Sequence, residues 1–143
     1  MEKKSKAQKF LERVEMIDTI IENKLIEQRQ WKALAYSITA NMEGERVQSS
    51  GSKSKMADAV IKCLTLADEI PECVDKLIAE KQKVVQTIEK LYSPTEYKIL
   101  HLRYIQYIPL SQIAEKLDWE YSRVTTAHGR AVKNVERIMN RGK

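Results

Sequence analysis

Two breaks divide residues 93–141 into three apolar-periodic segments, and a chain punctuated in this way is steered towards three short helices packed on one another. The first opens at Ser93-Pro94-Thr95-Glu96. Ser93 suits the cap, Pro94 presets φ at the first helical position, and Glu96 is placed to reach back to the Ser93 N–H. Tyr97, Leu100 and Tyr104 recur at i, i+3 and i+7, with Ile99, Leu102 and Ile105 widening the face, so the helix should run to about Gln106. Ile108-Pro109 ends it, because proline lacks the N–H and drives the preceding residue out of the α region. A short helix follows, with Leu110, Ile113, Ala114 and Leu117 on one face, and Asp118-Trp119-Glu120 turns the chain. The last segment, from Tyr121 to about Arg141, places Val124, Ala127, Ala131, Val135 and Ile138 on one stripe.

The other side of that last helix is basic. Residues 1–92 hold 16 basic and 15 acidic groups and residues 93–120 hold 3 and 4, whereas residues 121–143 hold 6 and 1. The net charge of +5 therefore sits on the terminal segment. A short helix, a tight turn and a basic second helix form the helix-turn-helix pattern, whose second helix enters the major groove of duplex DNA by its leading turns. Tyr121, Ser122, Arg123, Thr125 and Thr126 fall on those turns and are the candidates for base contact. Arg123 suits guanine, since its planar fork matches O6 and N7 together, and the threonines offer a methyl to thymine. Arg130, Lys133 and Arg137 lie further along and suit phosphates, which fix register without reading sequence. His128 is expected to pack on Trp119 or Tyr104. Gly129 costs ~1 kcal/mol in a helix interior, which points to close backbone approach, either to the first helix of the motif or to DNA.

Leu102-Arg103-Tyr104, the run Leu110-Ser111-Gln112-Ile113-Ala114-Glu115-Lys116-Leu117, and the run Val124-Thr125-Thr126-Ala127-His128-Gly129-Arg130-Ala131-Val132 resemble region 4 of bacterial sigma factors, which reads the promoter −35 element. Over nearly its full length the chain resembles small sigma-factor-like regulators encoded by phages and prophages of Gram-positive bacteria. That resemblance takes in the polar stretch Arg46-Val47-Gln48-Ser49-Ser50-Gly51 and the Lys55-Met56-Ala57-Asp58-Ala59-Val60 that follows. It implies control of phage late genes at promoter DNA, with bacterial RNA polymerase as a partner. The chain departs from the sigma pattern at the turn, where Asp118 stands in place of the usual glycine.

The front half reads as two long helices. Phe10, Val14, Ile17, Ile21, Leu25, Trp31, Leu34 and Ile38 mark the first; Met56, Val60, Leu64, Ala67, Ile70, Val74, Leu77, Val84, Ile88 and Leu91 mark the second. Pairing them as an antiparallel hairpin hides both stripes. Pro71 should kink or interrupt the second helix near Ile70. The connection, about 41–54, is rich in glycine and serine and too long for a tight turn. The fold expected is all-α: a long helical hairpin over 1–92 serving assembly or partner contact, then a helix-turn-helix domain over 93–143.

Cys63 and Cys73, ten residues apart, are expected on different helix faces, and neither belongs to a metal-binding pair. Lysines near the N-terminus have no apolar run behind them and no segment approaches the ~20 apolar residues of a membrane span, so a cytoplasmic protein of a bacterial host is expected. No glycine-rich phosphate loop, metal spacing or nucleophile-base set appears; neither catalytic residues nor a cofactor is expected, and an enzyme is disfavoured. Two classes remain. One is a DNA-binding transcription regulator, acting as one copy on polymerase or as a homodimer through the hairpin. The other is a small-terminase-like packaging or scaffolding protein, which also joins a helix-turn-helix to an oligomerising helical part.

Overall fold

The computed structural model describes residues 4–44 and 50–142, with side chains described outside 39–52. It is all-α: α1 Lys6–Gly44, α2 Ser50–Ile88, α3 Pro94–Leu100, a π-helical turn His101–Ile105, α4 Leu110–Leu117 and α5 Tyr121–Arg141. The helices reach well into the connection expected at 41–54, and the remainder of that connection, 45–49, lies outside the described residues. Ser5 caps α1, its Oγ accepting from the Gln8 N–H at 3.2 Å. No helix of the described residues is long and apolar enough to cross a membrane.

Contacts divide the chain into two compact units, 1–17 with 77–143, and 18–76. The division does not fall at the 92/93 boundary expected from the sequence. In the first unit Ala7, Leu11 and Val14 of α1 and Val84 and Ile88 of α2 bury themselves with Leu100, Tyr104, Ala131, Val132 and Val135. The base of the hairpin is thus part of the core on which α5 rests. Arg13 pairs with the buried Glu80 at 3.4 Å, and Arg103 with Glu15 at 3.4 Å. A second core, Ile99, Leu102, Ile113, Ala114 and Val124, belongs to the helix-turn-helix itself. α5 serves both: its leading turns close the second core and its later turns the first.

The 93–106 segment is not one regular helix. Ser93 Oγ accepts from the Glu96 N–H at 3.3 Å as expected, yet the Glu96 carboxylate is taken by Asn134 of α5, at 2.6 Å. After Leu100 the chain widens into the π turn, with the Gln106 N–H reaching the His101 carbonyl at 3.1 Å and the Ile108 N–H the Leu102 carbonyl at 3.0 Å. Leu100 and Tyr104 are buried in the first core and Leu102 in the second, so this segment is covered on two sides. Tyr107 then takes a left-handed φ of 61° and delivers the chain to Pro109 at the head of α4.

In the 18–76 unit, Lys24 meets Glu69 at 2.6 Å, while Gln28 Nε2 donates to the Cys63 carbonyl at 3.4 Å. The α2 row turned inward is Ala59, Cys63, Leu66, Ile70 and Cys73. Val60 and Leu64, expected inside, are 40% and 62% exposed. Both rows have the same alternating spacing of three and four, one residue apart, so periodicity alone does not choose between them. The two cysteines accordingly share a side, because ten residues is one heptad plus three; both are half-buried and free. Pro71 does not interrupt α2, which runs through it unbroken. Pro71 and Ala67 are both exposed, so the carbonyl that proline leaves without its usual donor faces water.

Candidate nucleic-acid interface

The turn between α4 and α5 is built by Asp118, whose φ of 55° and ψ of 46° are left-handed. Its N–H bonds back to the Ala114 and Glu115 carbonyls, and the Trp119 N–H reaches Ala114 O at 2.9 Å, the double closure that glycine more often makes. Aspartate tolerates this region better than most residues, so the tight turn forms without a glycine. Glu120 then caps α5 in extended conformation, its carbonyl accepting from Arg123 and Val124.

Burying Val124, Ala131 and Val135 turns the opposite side of α5 outward. Tyr121, Ser122, Arg123 and Thr126 are exposed and Thr125 is half-buried. The Arg123 guanidinium lies 3.7 Å from the centroid of the Trp119 ring. One part of Trp119 packs against the helix-turn-helix core, and its ring also supports Arg123. A cation held over an indole loses less rotamer freedom when it meets a base than one moving freely in water. Thr125 and Thr126 both donate their hydroxyls to the Ser122 carbonyl at 2.9 Å. With those protons committed, they present methyl groups and acceptor lone pairs.

Arg123, Arg130 and Arg137 recur every seven residues, so with Lys133 they form one exposed basic stripe. Arg137 Nη1 donates to Asn134 Oδ1 at 3.3 Å. Between this stripe and the head of α3 lies an open cleft of about 550 Å³, lined by Ser93, Glu96, Trp119, Arg123, Thr126 and Arg130, among others. Asn134, which ties α5 to Glu96, was not singled out in the sequence; an asparagine on a helix flank carries no signal of the distant carboxylate it meets.

Below the exposed turns, His128 Nε2 and the Tyr104 hydroxyl share a hydrogen bond of 2.6 Å, and their rings stack at 5.6 Å. Of the two expected neighbours, Tyr104 is the one it bonds. Burial, helped by Arg103, lowers the His128 pKa, and burial pushes Tyr104 up to about 12. Near neutral pH the pair is an uncharged imidazole on an un-ionised phenol. Gly129 does not approach α4: a Cβ placed there would meet nothing within 4 Å. Of the two close approaches expected of it, the one within the protein is excluded. Among the described residues no group of three His, Cys, Asp or Glu could hold a metal.

The model of one protein family, described as a protein of unknown function (DUF1492), matches residues 37–136. No curated protein and no solved structure matches the chain. The matched span runs from within α1 to within α5, so the second hairpin helix and the helix-turn-helix fall in one family unit.

Proposed function

The chain belongs to the DUF1492 family, and we propose that it is a sequence-specific regulator of transcription that binds double-stranded DNA through α5, in the manner of sigma region 4, at phage or prophage late promoters in the cytoplasm of a bacterial host. One observation carries this reading: the basic stripe of α5 is exposed while its apolar stripe is held by two cores, and the leading turns stand clear with Arg123 set on Trp119. Tyr121, Ser122, Arg123, Thr125 and Thr126 read base edges; Arg130, Lys133 and Arg137 hold phosphates. The hairpin serves assembly, and RNA polymerase is the partner that the sigma-like pattern implies. A genome-wide footprint of bound DNA tests the proposal. Recovery of a common motif upstream of late genes supports it, and even coverage of all duplex DNA sinks it.

A further inference from the structure

The fold sets further cations beside the trailing end of α5. Lys6, Lys9 and Arg13 follow one another at i, i+3 and i+7, and burial of Ala7, Leu11 and Val14 fixes which side of α1 they occupy. With Phe10 they line a groove of about 300 Å³ whose far wall is Glu136, Met139 and Asn140 of α5. A second groove, of about 270 Å³, runs from Lys90 and Tyr92, in the link from α2 to α3, to Asn134, Arg137 and Arg141. At about 3.6 residues per turn these two sets of α5 residues lie on opposite sides of the helix. We propose that Lys6 and Lys9 on one flank of α5, and Lys90 on the other, bind backbone phosphates of duplex DNA and so widen the contact that α5 makes.

Pairing separates the free cations from the engaged one. Arg13 is taken by Glu80 at 3.4 Å, whereas Lys6, Lys9 and Lys90 are exposed and make no ion pair among the described residues. Asn134 holds Glu96 at 2.6 Å, which leaves Glu136 as the acid facing Lys6 and Lys9. Each groove keeps an excess of positive charge. The near-neutral count over residues 1–92, 16 basic and 15 acidic groups, hides this, because a sum along the chain ignores which side of a helix a charge is on. Cations spread over three elements suit an extended polyanion rather than a small anion, which would need them convergent. A helix seated in the major groove runs between two phosphate strands, so cations on both flanks of α5 have a strand each to meet. Because Arg137, read as a phosphate contact, lies on the same turns of α5, this role depends on the DNA reading of that helix.

The test is the binding of a random-sequence duplex, which offers phosphates without a preferred site, between ~0.05 and ~0.2 M salt. The natural chain is compared with one carrying Lys6→Gln, Lys9→Gln and Lys90→Gln together. That variant should bind at least ~tenfold more weakly at ~0.15 M salt, and its plot of log affinity against log salt should be shallower by about two to three. Its helical circular dichroism should be unchanged, because the three side chains are exposed. Lys53→Gln, Lys55→Gln and Lys62→Gln together remove the same charge from exposed positions of α2 in the 18–76 unit, and should leave affinity and slope near those of the natural chain. An unchanged slope in the first variant, an equal loss in the second, or a first variant that loses only RNA polymerase while keeping duplex overturns the proposal. If the slope changes as expected but the natural chain prefers no site, sequence-specific regulation falls and the phosphate flanks stand. Failure of the natural chain to bind any duplex overturns both.

Discussion

Single residues decide what α5 exposes. Gly129 is exposed, sits mid-helix and has open space where a Cβ would go. Within the folded chain, then, alanine is the better residue there, and Gly129→Ala should stabilise the protein by up to ~1 kcal/mol in a denaturant melt. If the glycine serves a close approach of DNA, the same variant should bind duplex less tightly while melting higher. A variant that melts lower would contradict the open geometry. Arg123 was legible in the sequence as an outward residue on the leading turns of α5, because the apolar stripe that begins at Val124 leaves it on the other side. Its seat on Trp119 was not legible: the aromatic lies four residues earlier across a turn, and its spacing fits core packing equally well.

At the scale of elements, the boundaries were readable wherever chemistry forces a break. Ser93-Pro94 starts α3, Pro109 precedes α4, and Asp118 ends it. The π turn was not readable, since the apolar residues from Tyr97 to Ile105 satisfy an ordinary helix as well. Nor was the inward row of α2, whose rival row is equally apolar. The π turn and α5 are joined by Tyr104 and His128, and that joint gives a pH dependence. Burial lowers the folded pKa of His128 below the ordinary 6.5, so protonation costs more in the folded chain than in the unfolded one. Stability contributed by this site is fully present above pH 6.5 and declines as pH falls below it. In thermal melts between about pH 7.5 and 5.5 the natural chain should lose stability and His128→Gln should lose less. Identical slopes would remove His128 from the account.

For the whole molecule, the sequence suggested a hairpin followed by a separate reading head, because Tyr92-Ser93-Pro94 looks like a boundary. The packing joins them: Leu11, Val14, Val84 and Ile88 share a core with Ala131 and Val135. Long-range contacts of this kind leave no periodic trace, since each stripe only announces that it must be covered. Leu11→Ala should therefore cost ~2–5 kcal/mol and depress DNA binding under conditions where it unfolds the first unit, although Leu11 lies more than a hundred residues before Arg123. A reading head that keeps full affinity while the base of the hairpin melts would show that the two are independent. The most direct test of the proposed function is the ratio of affinities for a preferred site and a scrambled duplex of equal length, measured at ~0.15 M salt for the natural chain and Arg123→Ala. A clear preference is expected in the natural chain, with Arg123→Ala losing about five- to 150-fold on the preferred site and little on the scrambled one. Equal binding of both duplexes by the natural chain, or an equal loss on both by the variant, would contradict sequence reading by α5.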